Sequence, residues 1–156
     1  MVDVIVEITD KYKVKIDKKF IKLVKSNNWH SRENSCGQVY FDSKLGRLHR
    51  IILNCPSDLV VDHINGDSLD NRKSNLRACT HKENIRNQKK HKNATHSRYK
   101  GVTFRKNLKK KPWESFIYPN GKSLRLGYFS TEVEAAKAYG RAAIIHYGEF
   151  CKLNFP

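Results

Sequence analysis

The first third of the chain alternates apolar and polar residues, which is the pattern of half-buried β-strands. Apolar residues occupy every second position from Val2 to Ile8 and again from Tyr12 to Ile16, with a polar turn between the two runs. This pattern predicts a β-hairpin. Asp17 follows the hairpin in a position to cap a short helix. Two further apolar stretches, 38–42 and 48–53, predict a second pair of strands.

A second segment, residues 59–90, changes from a strand pattern to a helix pattern. A short apolar run ends at His63, a polar loop follows, and a second apolar run covers 76–79. Thr80 and Glu83 then have the spacing of a capping box, which predicts the start of a helix. The order strand, loop, strand, helix predicts a ββα hairpin with its helix lying against the two strands.

The remaining segment predicts a three-stranded sheet followed by one helix. The strands are expected near 101–105, 113–118 and 123–127. Alternation assigns the apolar residues to one face. The opposite face carries Thr103, Arg105, Glu114, Phe116, Tyr118, Ser123 and Arg125. A capping box at Thr131 and Glu134 starts the helix, and a stripe of alanines lets that helix pack closely on the apolar face.

The charge of the chain indicates a polyanionic partner. The 156 residues include 31 Lys and Arg against 15 Asp and Glu, a net charge of +16. Between Arg86 and Lys111 there are eleven basic residues and no acidic residue. Such a surplus favours nucleic acid first and an anionic membrane surface second. A basic segment of this kind can follow a phosphate backbone.

Several other classes of protein are excluded by the composition. No apolar run approaches the roughly 18 residues that a membrane-spanning helix needs, and the first residues lack the features of a signal peptide. The four cysteines form no C-x-x-C pair, which argues against a zinc knuckle and a disulfide scaffold. Reduced thiols in a cytosolic compartment are therefore expected.

Four polar residues of the second segment are candidates for chemistry: Asp62, His63, Asn75 and Asn84. A hard cation such as Mg²⁺ prefers oxygen ligands, and a neighbouring imidazole can take a proton from an attacking water. Adjacent strand residues point to opposite faces, so Asp62 and His63 can share a site only where the strand ends or twists. Asp, Asn and Gly are also common in ordinary loops, so spacing alone leaves open a loop without catalytic function.

Residues 62–84, DHINGDSLDNRKSNLRACTHKEN, resemble the HNH nuclease motif in the form found in phage and intron-encoded homing endonucleases. The resemblance implies that Asp62 and Asn84 are metal ligands and that His63 is the general base. It also implies that Asn75 orients the loop and the base, and that each active site holds one Mg²⁺ or Mn²⁺ ion. Asn84 replaces the final His of the motif, and its amide is a weaker ligand.

The third segment resembles an AP2 DNA-binding domain. The resemblance is carried by the stretches YKGV at 99–102, WESFI at 113–117, LGYF at 126–129, AAKAY at 135–139 and LNF at 153–155. In that family a three-stranded sheet enters the major groove with one helix behind it. The implied DNA-binding residues are Lys100, Thr103, Arg105, Phe116, Tyr118, Ser123 and Arg125, and the basic residues Lys89, Lys90 and Lys92 are expected to join them. The base preference of plant members is not transferred to this chain.

The resulting prediction is an α+β fold in three parts. Residues 1–90 form a mixed nuclease domain whose ββα-metal motif covers about 59–90, residues 91–97 form a basic linker, and residues 98–156 form the AP2-like domain. The hypothesis is a metal-dependent homing endonuclease that nicks or cuts double-stranded DNA, without a membrane partner. A monomer is expected, with a dimer as the alternative, in the cytoplasm of a bacterial host cell if the gene belongs to a phage or an intron.

Two other functions remain open at this stage. One is a DNA-binding regulator whose HNH hairpin is degenerate and does not cleave. The other is a protein that binds structured RNA, although the major groove of A-form RNA is too narrow for a sheet. A plasmid-nicking assay separates the first alternative from a nuclease, and competition between duplex DNA and RNA tests the second.

Overall fold

The computed structural model describes residues 3–88 and 96–155 and has a mixed α+β fold with small antiparallel sheets. Contacts divide the chain into two compact units, the first ending at Ile85 and the second beginning at Arg86. The linker predicted at 91–97 lies mostly outside these ranges, as do Lys89, Lys90 and Lys92. None of the helices within the described ranges has the length and apolarity to cross a membrane.

The first unit contains three small sheets and short helices. A hairpin of β1 and β2 comes first, β3, β4 and β5 form the second sheet, and β6 and β7 form the third. The bounds are β1 Asp3–Thr9, β2 Tyr12–Asp17, α1 Ile21–Lys25, β3 His30–Glu33, β4 Val39–Ser43, β5 Gly46–Arg47, α2 Leu48–Leu53, β6 Val60–His63, β7 Leu76–Cys79 and α3 His81–Asn87, whose last two residues belong to the second unit. The sheets share one core, whose most deeply buried side chains are Val14, Ile16, Phe41 and Leu48.

The stretch 48–53 is helix α2, so the prediction of a strand there was wrong. Leu48 and Ile52 lie one helical turn apart, and both are buried in the core. Asn54 ends the helix in a left-handed conformation with φ 54°. A short apolar run fits a buried strand and a buried helix equally well, which is why the pattern was misleading. The partner of β4 in this region is the short β5.

Asp17 does not cap the helix that follows it. Its side chain makes no capping hydrogen bond, and its carboxylate instead accepts a hydrogen bond from the backbone N–H of Lys73 at 2.8 Å. Asp17 is 4% exposed, so this bond satisfies a buried carboxylate. The residue therefore connects the end of the first hairpin to the loop between β6 and β7.

The second unit is a three-stranded antiparallel sheet with one long helix packed on it. The strands are β8 Val102–Phe104, β9 Trp113–Ile117 and β10 Leu124–Phe129, with β9 in the centre, and the helix is α4 Glu132–Tyr147. The predicted capping box of Thr131 and Glu134 is present. The buried side of the helix consists of Ala135, Ala136, Ala138, Tyr139, Ala142 and Ala143. Because alanines are small, the helix lies close to the apolar face of the sheet, against Val102 and Ile117.

Gly101 lies where this packing is tightest, and we expect Gly101→Ala to destabilise the protein by about 3 kcal/mol. Its φ is +70°, and an added Cβ would overlap the ring of Tyr139 and lie 2.6 Å from the backbone oxygen of Phe116. Chemical denaturation of both variants measures the loss. Gly121→Ala is the matched control, because Gly121 has a φ of +79° but no atom within 4 Å of its Cβ position. Equal losses in the two variants would contradict a steric origin.

Candidate active site and nucleic-acid interface

The hairpin of β6 and β7 places Asp62 and His63 at the end of a strand, where two adjacent residues can reach one site. Asp62 is paired with Arg77 and His63 with Leu76. The two polar side chains are 4% and 5% exposed. Helix α3 follows β7 directly, and the predicted capping box is formed: Thr80 N–H donates to Glu83 Oε2 at 2.8 Å, and Glu83 N–H donates to Thr80 Oγ1 at 3.3 Å.

A buried ion pair holds the carboxylate of Asp62. Arg77 donates from Nε to Asp62 Oδ2 at 2.8 Å, and its Nη2 lies 2.7 Å from the same oxygen. The side chains are 5% and 13% exposed, so the pair is largely removed from solvent. Breaking such a pair leaves an uncompensated buried charge. Arg77 therefore neutralises Asp62 and fixes the position of its carboxylate.

Asn71 fixes the imidazole of His63. The Nε2 of His63 lies 3.4 Å from Asn71 Oδ1, and the Nδ2 of Asn71 donates to the carbonyl of Ser68 at 3.1 Å. Because the amide nitrogen is used by Ser68, the amide oxygen faces the ring and accepts from Nε2–H. The lone pair of the neutral imidazole then lies on Nδ1. Asn71 is 2% exposed, and the sequence pattern did not identify it as a partner of His63.

The environment of His63 favours its neutral form. Burial lowers its pKa, although the hydrogen bond that its Nε2–H donates to Asn71 and the charges of nearby carboxylates act in the opposite direction. The ring of His49 lies 5.4 Å from the ring of His63, measured between centroids, and the ring of Tyr40 lies at 6.4 Å. Burial and the neighbouring His63 also lower the pKa of His49 to about 3. Two adjacent imidazoles are thus uncharged at neutral pH.

Asn75 organises the loop between β6 and β7. Its Oδ1 accepts from the backbone N–H of Asn65 at 3.1 Å, and its Nδ2 donates to Asn65 Oδ1 at 3.0 Å and to the carbonyl of Asp70 at 2.8 Å. These bonds connect the start, the middle and the end of the loop. These contacts of the Asn75 side chain lie within the loop, and the amide that contacts His63 is that of Asn71.

The same loop is attached to the first hairpin of the unit. Lys15 of β2 donates its N–H to Leu69 O at 2.9 Å and accepts from Asn71 N–H at 2.7 Å. Arg72 bridges Asp70 and Asp3 with hydrogen bonds of 2.6 Å to each. Hydrogen bonding from Arg72 lowers the pKa of Asp70. The loop that holds His63 is therefore anchored from outside as well as from within.

Asn84, the second predicted ligand, lies half-buried in the first turn of α3, where its N–H donates to Thr80 O at 3.1 Å. Burial and then the charge of Asp62 raise the pKa of Cys79 to about 11. In the strand pairing Asp62 lies opposite Arg77, two residues before Cys79, which ends β7, and α3 begins two residues after Cys79. In the described ranges, no three His, Cys, Asp or Glu residues form a metal-binding group. The predicted ligands, Asp62 and Asn84, are only two residues, and an Asn is not among the residue types that make up such a group.

The polar face of the second unit has the composition that alternation predicted. One shallow depression is lined by Thr103, Arg105, Glu114, Phe116, Tyr118, Ser123 and Arg125. At its centre, Glu114 accepts from Arg105 Nε through Oε2 and from Arg125 Nε at 2.8 Å through Oε1. Burial would raise the pKa of Glu114, but the two arginines together lower it. The side chains of Arg105 and Arg125 are 52% and 62% exposed.

The sequence pattern did not predict Tyr128 on this face, and Lys100, which the AP2 resemblance assigned to DNA binding, makes its contacts elsewhere. A bulge between Arg125 and Gly127 changes the alternation of β10, so that Tyr128 lies opposite Glu114 on the polar face. Lys100 is not among the residues lining that face. Its Nζ donates to the carbonyls of Arg86 at 2.6 Å and Gln88 at 2.8 Å, and burial lowers its pKa to about 8.

Comparison with known proteins identifies relatives of both kinds predicted. Residues 54–86 match the family model described as HNH endonuclease. An uncharacterized HNH endonuclease of Acanthamoeba polyphaga mimivirus is 32% identical in an alignment of 122 residues that covers 74% of this chain and 61% of the viral protein. The APETALA2-like protein 2 of Oryza sativa subsp. indica is 46% identical over 59 residues, 38% of this chain and 13% of the plant protein. An AP2-like ethylene-responsive transcription factor of Arabidopsis thaliana is 44% identical over 59 residues, 38% of this chain and 12% of the plant protein. No solved structure matches this chain.

These similarities cover different parts of the chain and different shares of the related proteins. The HNH match covers β6, β7 and most of α3, and the viral relative is also an HNH endonuclease by name. The chain spans less than two thirds of the viral relative and a small part of the plant proteins. The resemblance to plant proteins is confined to 38% of the chain.

Proposed function

We propose that this chain is a metal-dependent homing endonuclease that hydrolyses phosphodiester bonds in double-stranded DNA. The observation that carries the proposal is the buried pair of Asp62 and His63 at the end of β6, inside the stretch that matches HNH endonucleases. A carboxylate next to a neutral imidazole provides a cation ligand and a proton acceptor in one place. The second unit then binds the DNA.

His63 acts as the general base in this proposal. Its Nδ1 accepts the proton of the water that attacks the phosphorus atom, while Nε2–H remains bonded to Asn71. The depressed pKa of the buried imidazole keeps Nδ1 unprotonated at neutral pH. Asn75 holds the loop through Asn65 and Asp70, so the ring keeps one orientation. General-base catalysis of this kind contributes about 10²–10⁴-fold to a rate.

The donor set suits one hard divalent cation. The Asp62 carboxylate and the Asn84 amide oxygen would hold Mg²⁺ or Mn²⁺, which prefers oxygen ligands and needs only one or two from the protein. Arg77 contacts Oδ2 of Asp62 and positions that carboxylate. When bound, the ion supplies electrophilic stabilisation of the phosphate and of the departing oxygen.

Binding to DNA is assigned to the polar face of the second unit, with an AP2-like arrangement of sheet and helix. The face presents Arg105 and Arg125 together with Phe116 and Tyr118, whose rings lie 5.6 Å apart. The net charge of +16 favours attraction to a phosphate backbone over the whole surface. Lys89, Lys90 and Lys92 are proposed to add backbone contacts. A monomer with one active site would nick one strand, and two copies would cut both.

The test is a nicking assay on supercoiled plasmids that carry randomised inserts. With Mg²⁺ or Mn²⁺ the full chain should convert a subset of plasmids to open circles, and EDTA should prevent conversion. Sequencing of the new ends identifies the cut strand and the recognition site. Intact plasmids that nevertheless bind the protein would favour the non-cleaving regulator. Stronger competition by structured RNA than by duplex DNA would contradict the assignment to DNA.

A further inference from the structure

One carboxylate on the exposed face of the second unit organises two arginines. Glu114 is only 3% exposed, although it lies in the middle of a face that is open to solvent. Each of its oxygens accepts a hydrogen bond from a different arginine, Oε2 from Arg105 and Oε1 from Arg125. The strands explain the arrangement, because Arg105 directly follows β8, Arg125 lies on β10 and Glu114 lies on β9 between them.

Both arginines use Nε for this contact, so their Nη groups are not the donors to Glu114. In the described ranges the only other contact of either guanidinium is that of Arg125 with Tyr128, whose ring centroid lies 5.4 Å from the guanidinium carbon. More than half of each arginine side chain is exposed. The edge formed by two Nη groups is the fork that contacts O6 and N7 of guanine in the major groove.

A carboxylate is an unexpected residue at the centre of a surface that meets phosphate. Its charge opposes the attraction of DNA, so a purely electrostatic face would lack it. Glu114 compensates for this repulsion because it already holds both arginine side chains in one rotamer. Less conformational entropy is then lost when these side chains bind DNA. Arg98 is held less tightly by comparison, because its side chain is 75% exposed and its Nε lies 4.0 Å from the carboxylate of Glu132.

We propose that Glu114 is a positioning residue that holds Arg105 and Arg125 as a pair of base-reading forks and thereby sets the sequence specificity of DNA binding. This inference rests on the proposed DNA-binding function. The two forks share one carboxylate, and neighbouring bases on a strand are about 3.4 Å apart. The pair should therefore read two guanines separated by no more than about two or three steps.

The experiment is a selection of binding sites from a randomised duplex library by the full chain, in EDTA so that no DNA is cut. The wild type should enrich two guanine positions close together. In Glu114→Gln the preference at both positions should fall together by about tenfold or more. Affinity for unrelated duplex DNA should be equal or higher in this variant, because a negative charge has been removed. The slope of affinity with salt should stay the same, because no phosphate contact is lost.

Glu7→Gln is the matched control, since it changes the net charge by the same amount on an exposed residue of β1. It should leave the selected sites unchanged. Arg105→Lys and Arg125→Lys keep the charge but remove one fork each. Each lysine variant should lose one guanine and weaken the other, because the shared carboxylate is no longer held from both sides. Thermal melting of every variant establishes that the second unit is folded at the assay temperature.

The outcomes separate this inference from the proposed function. Selection of the same sites with the same preference by wild type and Glu114→Gln overturns the role of Glu114 and leaves DNA binding in place. Enrichment of no sequence by the wild type overturns both. If Glu114→Gln unfolds, the lysine variants decide: independent effects at the two positions contradict a shared clamp, and coupled effects support it.

Discussion

Replacing His63 by alanine is expected to lower the rate of DNA cleavage by about 10²–10⁴-fold, because the attacking water loses its proton acceptor. Binding of DNA should be nearly unchanged, since the polar face of the second unit is not altered. The rate of nicking on a plasmid with an identified site measures the first effect, and a binding titration in EDTA measures the second. The variant also removes the partner of Asn71 and the ring next to His49, so its melting temperature must be recorded.

His30→Ala is the control for this prediction. His30 lies on β3 and is exposed, so its loss should leave the cleavage rate within about twofold of the wild type. A folded His63→Ala variant that cleaves at the wild-type rate would exclude His63 as the base. Proportional loss of binding and cleavage would indicate a structural effect instead.

Replacing Asp62 by asparagine is expected to reduce cleavage by about 10²-fold or more and to raise the Mg²⁺ concentration needed for half-maximal activity. An amide keeps the size of the carboxylate but lacks the charge that a hard cation prefers. The change also leaves the buried Arg77 without its counter-charge, which should cost stability, of order 3–5 kcal/mol. Metal titrations of the cleavage rate should therefore be run well below the melting temperature of the variant.

Asp67→Asn is the matched control, because Asp67 is an exposed carboxylate of the same loop and its Oδ1 accepts from Leu69 N–H at 2.9 Å. Asparagine preserves this acceptor, so activity and metal dependence should be retained. An unchanged Mg²⁺ requirement in a folded Asp62→Asn variant would contradict its role as a ligand. Equal losses in the two variants would point to a general effect of charge in the loop.

Local signals in the sequence were sufficient for much of the fold. Three predicted features depend only on neighbouring residues, and the structure has each of them. They are the alternation of β1 and β2, the capping boxes at Thr80 and Thr131, and the two faces of the last sheet. A capping box works within four residues, and alternation is a property of a single strand. Such features can therefore be predicted from the sequence alone.

Other features depend on residues that are distant in sequence, and these were missed. The partner of Asp17 is Lys73, which lies 56 positions away. The amide that holds His63 belongs to Asn71, one of several polar residues in a loop where any of them could have served. Tyr128 faces the arginines because of a bulge, and nothing in its immediate neighbours signals where a bulge occurs. The stretch 48–53 became a helix because burial against the core, which no local pattern reports, selected that conformation.

The loop that follows the candidate base, His63, takes part of its rigidity from β2, through the two backbone hydrogen bonds of Lys15. The 33 residues that match the HNH family model therefore depend on β2 for two of the hydrogen bonds that hold their loop. Transfer of this motif to another scaffold is expected to require the first hairpin as well, or a strand that makes equivalent contacts. The part of the chain to transfer is therefore the hairpin of β1 and β2 together with residues 54–86.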